Sequence, residues 1–180
     1  MDELVVSTDV YVAPTEAYEF LIEFPRYERY TEYLERVSRT HGDGGPGSRY
    51  ALRFAWWKLS YTARSEVTDV DPPTRIDWRI LKDIDARGAW VIEGYDDLPA
   101  EAPADATAAC RVTLEIRFDA DSADSSAVSL PPLVSFGGIL DRVKGLVEEE
   151  AERVVRRAVA DLEGSEREVT LTVRSDGDSL

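Results

Sequence analysis

Leu4–Phe24 reads LVVSTDVYVAPTEAYEFLIEF, and the change of period inside it decides the fold. From Leu4 to Val12 the chain alternates, with Val6, Thr8, Val10 and Val12 set against Val5, Ser7, Asp9 and Tyr11. That period of two predicts a strand. Ala13-Pro14-Thr15-Glu16 then stops it, because proline cannot continue a ladder but is tolerated in a first helical turn, where Glu16 suits the positive helix end. Ala17, Phe20, Leu21 and Phe24 recur at helical spacing, so the spacing predicts a helix over Glu16–Phe24. Pro25 breaks it, and Tyr27, Tyr30, Tyr33 and Leu34 predict a second short helix running into a strand at Leu34–Thr40.

Downstream the chain is a succession of strands. Gly42-Asp43-Gly44-Gly45-Pro46-Gly47 lacks the lysine and hydroxyl residue of a phosphate-binding loop and precedes a strand, so it reads as a hairpin turn, with His41 solvated beside it. Arg49–Lys58 and Leu59–Asp71 follow as long strands, the first with Leu52, Phe54 and Trp56 on one face. Tyr61, Ala63, Ser65 and Val67 share a face of the second, which Pro72-Pro73 ends. In Arg75–Leu81, Ile76, Trp78 and Ile80 oppose Arg75, Asp77 and Arg79, the pattern of a strand wet on one side. Ala89–Tyr95 and Cys110–Ala120 are two more, the latter with Val112, Leu114, Ile116 and Phe118 aligned. Short links without intervening helices predict an antiparallel meander.

Near the end Leu140, Val143, Val147, Ala151, Val154, Val155, Ala158 and Leu162 form one helical stripe, predicting a helix over Gly138–Glu163 that Gly164 stops. A long amphipathic helix that arrives after a curved sheet must bury its stripe against it. Where the two do not fill the space between them, a pocket for an apolar molecule remains. Residues 1–164 are expected to form one domain, and 165–180 an acidic tail with a possible short strand at Glu168–Arg174.

Composition narrows the chemistry. A 180-residue chain with 43% hydrophobic residues suffices for one domain with a real core. No window nears the roughly 18 apolar residues that span a bilayer, and Met-Asp-Glu-Leu has no signal-peptide character, so a cytoplasmic protein is expected. With one cysteine, Cys110, and one histidine, His41, neither a disulfide nor a cysteine-rich or multi-histidine metal site is open to it, and no cofactor is expected. Cys110 reads as a small buried apolar residue. Thirty-six acidic residues against 21 basic ones give −15, which disfavours nucleic acid and anionic lipid surfaces as partners. That charge reads either as the surface of a salt-adapted organism or as a ligand-steering field.

The strand ending Val10-Tyr11-Val12-Ala13-Pro14, the helix Glu16–Phe24, Phe24-Pro25-Arg26-Tyr27, Asp69–Ile76 and the terminal helix together resemble the START-like superfamily, the polyketide cyclase and lipid-transport group. The likeness covers Glu3–Glu163, and the entry to strand two and Cys110-Arg111-Val112-Thr113 are most similar to its coenzyme Q-binding branch. The resemblance implies an α+β helix-grip fold: a curved antiparallel sheet wrapped around the C-terminal helix, with two short helices between strands one and two. It also implies a cavity that takes sterols, lipids, quinones, hormones or polyketides, and some members catalyse cyclisation or dehydration.

Two functions are therefore open. The first is a binding or carrier protein for a lipophilic small molecule, lined by Leu52, Phe54, Trp56, Tyr61, Ala63, Trp78, Ile80, Trp90, Leu114, Phe136, Leu140, Val143 and Val147, with Leu133–Leu140 as a lid. The second is a cyclase or dehydratase that needs an acid or base in the same cavity, with Tyr50, Tyr61, Glu93 and Lys144 as candidates and Arg53 or Arg64 as anion anchors. A third, interaction with a ribosomal or RNA assembly, runs against the charge.

Overall fold

In the computed structural model, which describes residues 1–56, 58–122 and 136–176, the opening strand β1 covers Asp2–Val10 and the first helix α1 covers Pro14–Ile22. Both end about two residues earlier than the alternation predicts. For β1 the cause is a competing acceptor: the Tyr11 N–H leaves the ladder and donates to the Glu163 carboxylate at 2.9 Å. Pro14 then takes the first helical position, which needs no donor. Ala17, Phe20 and Leu21 are the face that α1 buries, each large side chain worth about 1.5–3 kcal/mol of burial. The second short helix is a 3-10 turn over Phe24–Arg29, with Pro25 in its first turn.

The remaining strands are β2 (Leu34–His41), β3 (Arg49–Trp56), β4 (Leu59–Asp71), β5 (Arg75–Ile80), β6 (Asp85–Gly94), β7 (Cys110–Asp119) and β8 (Thr172–Asp176). They form one antiparallel sheet in the order β2-β3-β4-β5-β6-β7-β1-β8. Register shifts in β2 and at Val67/Asp69 in β4 mark bulges, which bend and twist a sheet. The glycine-rich segment is the β2–β3 turn. Gly42, Gly44 and Gly47 there take positive φ, Gly44 N–H donates to the buried Ser48 hydroxyl at 2.7 Å, and Gly47 N–H reaches the Val67 carbonyl.

Helix α2 spans Phe136–Glu163. Its C-terminal turns are held from two sides. Val159 is buried in the core, with Val154, Val155, Ala158 and Leu162 packed against it. On one side Tyr30 donates to Asp161 at 2.5 Å and Arg157 donates to the Tyr30 carbonyl at 3.1 Å. On the other, Arg167 pairs with Glu163 at 2.7 Å, donates to the Asp9 carbonyl at 2.9 Å and lies 4.4 Å over the Tyr11 ring. No helix among the described residues is long and apolar enough to cross a membrane.

Candidate functional site

Register decides which side chains share the inner face of the sheet. Directly opposed residues lie on one side, so the row Ile76–Trp90–Leu114–Val6 and the row Val67–Trp78–Gly88–Ile116–Leu4 both face inward. Tyr50–Ser65–Ile80, Leu52–Ala63 and Phe54–Tyr61 continue that face across β3 and β4. The inner face has two unlike ends. At the α1 end, Val10, Cys110, Ile92, Ile76, Val67 and Tyr50 are each 2% exposed or less. An aromatic group closes that end: Phe24 lies 4.8 Å from Tyr50 and 5.1 Å from Tyr27, whose ring meets Trp90 edge-on at 6.1 Å. Burial pushes the Cys110 thiol up to about 12, so it stays protonated and unreactive.

Toward the other end the same strands present Val6, Leu114, Ile116, Trp78, Ile80, Tyr61, Leu52 and Trp56, all half-buried, and Phe54, which is exposed. Ala63 is buried between them. Of the residues expected to line a cavity, the sheet therefore brings Leu52, Phe54, Trp56, Tyr61, Ala63, Trp78, Ile80, Trp90 and Leu114 onto one face. Phe136, Leu140, Val143 and Val147 belong to α2, and their side chains lie outside the described residues, as do the side chain of Lys144 and residues 133–135 of the expected lid.

Two hydroxyls stand out on this face. Tyr61 Oη and Ser65 Oγ are the buried side-chain polar atoms without a hydrogen-bond partner among the described residues. A buried hydroxyl left without a partner costs about 1–3 kcal/mol, which is why these two positions stand out. Burial, and after it the charge of the Asp83 carboxylate and a hydrogen-bonding approach to it that falls short of a well-formed bond, pushes the Tyr61 phenol up to about 12, which keeps it a neutral donor. Asp83 itself sits in the β5–β6 turn at φ 75°, a conformation uncommon outside glycine. Ser65 was hidden in the sequence as one small residue in an alternating run. Only its burial at 3% and its missing partner mark it.

The acid–base candidates fare differently. Glu93 alternates outward: it is exposed and opposes Arg111 on the outer face, so it is not the cavity acid that its strand position allowed. Arg53 pairs with Glu35 at 2.7 Å on the wet face, and Arg64 is likewise exposed there. Tyr50 is walled into the core with its hydroxyl group raised in pKa, chiefly by burial. Among the described residues no group of three or more histidine, cysteine, aspartate or glutamate side chains could hold a metal ion.

Trp78 owes its position to a glycine. A Cβ at Gly88 would lie 2.4 Å from the Trp78 indole and 2.4 Å from the Glu115 carbonyl oxygen. Neither the backbone nor a packed indole can retreat that far. Gly88→Ala is expected to cost about 1–3 kcal/mol in chemical denaturation and to change the Trp78 emission spectrum. An unaltered midpoint and spectrum would show that the indole does not lie across Gly88.

An eight-stranded antiparallel sheet with a long C-terminal helix docked at one end of its inner face is a helix-grip fold. The chain belongs to the polyketide cyclase / dehydrase and lipid transport family, whose model matches residues 1–163. Among solved structures it is similar to TTHA0849 from Thermus thermophilus, with 17% identity, a TM-score of 0.58, and 90% of this chain and 97% of that one covered. It is also similar to Ara h 8.0201, with 12% identity, a TM-score of 0.55, and 92% and 100% covered. No curated protein matches the sequence. At such identities these likenesses speak for the fold alone.

Proposed function

We propose that the protein is a binding or carrier protein for a lipophilic, ring-containing small molecule seated between the inner sheet face and α2. The observation that carries this reading is the contrast along the inner face. One end is tightly buried, whereas the other keeps a continuous set of large apolar side chains half-buried around the Tyr61 hydroxyl, beside which only the Asp83 carboxylate stands among the described residues. Apolar walls with a few placed polar groups are the usual make-up of a ligand site. A neutral phenol donor calls for an acceptor on the guest, and a ring carbonyl, as in a quinone or polyketide-like molecule, supplies one. The resemblance of Cys110-Arg111-Val112-Thr113 to the coenzyme Q-binding branch supports a quinone within that class.

Native mass spectrometry of protein purified in high salt is expected to retain such a guest, and its addition to stripped protein to move Trp78 fluorescence. Tyr61→Phe should leave the empty protein folded, with its unfolding midpoint little changed, while affinity for a carbonyl-bearing ring compound falls about tenfold. No retained or added lipophile, with tryptophan emission unmoved, would end the carrier reading. Turnover of a polyketide-like substrate that Tyr61→Phe abolishes would replace it with the enzyme.

A further inference from the structure

The outer face of the sheet carries a second feature, a line of charges. One cross-strand row runs Arg49–Glu66–Arg79–Arg87–Arg117–Glu3, each residue directly opposite the next. Three arginines thus stand side by side on β5, β6 and β7, in a chain whose net charge is −15. Like charges directly opposed destabilise a sheet. The two outer members are drawn toward the ends of the row: Arg79 pairs with Glu66 at 3.1 Å and Arg117 with Glu3 at 3.3 Å. The central one, Arg87, is exposed and has no carboxylate partner among the described residues. All three border a groove of about 370 Å³ in which Ala89, the residue between Asp77 and Glu115 in the next row, has too small a side chain to fill the space.

We propose that this groove binds a compact, multiply charged oxyanion of the phosphate class, held by Arg79, Arg87 and Arg117. Guanidinium groups offer forked donors that match such oxygens, and a bound dianion turns the repulsion of the row into attraction. The opposite rim limits the guest. Asp69, Asp77 and Glu115 also line the groove, and among the described residues only Asp77 has an ion-pair partner there, Arg75 at 3.0 Å. An extended polyanion such as a nucleic acid would have to cross those carboxylates, whereas a small anion need not.

The test uses the full chain and inorganic pyrophosphate at fixed ionic strength, followed through the side-chain Nε–Hε NMR signals of the arginines. Saturable shifts confined to Arg79, Arg87 and Arg117 are expected, with affinity reduced about tenfold or more in Arg87→Gln and unchanged in Arg153→Gln. Thermal unfolding gives a second readout. Without pyrophosphate Arg87→Gln should melt higher than the parent, since it removes the central like charge, and pyrophosphate should raise the midpoint of the parent far more than that of the variant. Vesicles carrying phosphate-headgroup lipids separate the sources: shifts with pyrophosphate alone identify a soluble anion, and the same shifts with vesicles identify a headgroup. Shifts that fail to saturate, that spread over all exposed arginines, or that persist in Arg87→Gln would overturn the proposal.

Discussion

Replacing Glu163 with alanine is expected to cost the fold about 3 kcal/mol and to lower Tm by roughly 6–12 °C. The carboxylate is 8% exposed and serves three donors: the Arg167 Nε at 2.7 Å, an Arg167 terminal nitrogen at 2.9 Å and the Tyr11 N–H at 2.9 Å. Its removal leaves a backbone donor and a guanidinium facing each other in a site where Arg167 is only 20% exposed. Breaking a buried pair by deleting one partner is the costly case, because the survivor keeps its desolvation penalty. Partial access of water to Arg167 holds the loss to the lower end of that range. Glu163→Gln keeps an acceptor for Tyr11 and should lose roughly half as much. In a double-mutant cycle Glu163 and Arg167 should couple by about 1–3 kcal/mol. A coupling near zero would mean that α2 is held at this end by Val159 and its neighbours alone.

The same contact shows where sequence reading stops. The alternation of β1 was legible, and so were the apolar stripe of α2 and the order of strands, because each depends on residues near one another in the chain. The end of β1 was not. It is fixed by Glu163, 152 residues away from Tyr11, and no local pattern announces that partner. For β6 the reason differs: Asp85-Ala86-Arg87-Gly88 has neither β-branched nor aromatic residues, so its strand state comes from pairing with β5 and β7 rather than from propensity. Strand β8 pairs with β1 from Thr172 to Asp176.

The candidate site divides along the same line. Leu52, Phe54 and Trp56 could be grouped from the period of their own strand, and Trp78 with Ile80 from theirs. Which faces of different strands meet is a matter of register. Register put Glu93 outside, set Ser65 beside Ile80 and Tyr50, and aligned Arg79, Arg87 and Arg117, three residues that nothing in the linear sequence connects.

Alkaline pH should unfold the protein in one cooperative step that begins above about pH 10. The tyrosines set this limit. Tyr27 is held far above its ordinary range, chiefly by burial, its hydroxyl donating to the Leu21 carbonyl. Tyr30 is also raised, by burial and then by its bond to Asp161, and Tyr61 is pushed up to about 12. In the unfolded chain a phenol titrates near pH 10. A folded-state pKa above that value leaves stability level below pH 10, since both states are then protonated. Stability falls as pH climbs from 10 through 12, because only the unfolded state releases the proton easily. Tyrosinate absorbance should therefore rise together with the loss of the far-ultraviolet circular dichroism signal, not ahead of it. Two causes could produce such a transition, burial of phenols or self-repulsion in a chain already at −15, and salt separates them. Molar salt shortens the screening length to about 3 Å and removes repulsion between surface charges, yet leaves the desolvation of buried phenols almost untouched. The onset should consequently stay near pH 10 in high salt. An onset displaced upward by a full pH unit, or tyrosinate forming in the still-folded protein, would show that surface charge and not the tyrosine-lined core sets the alkaline limit.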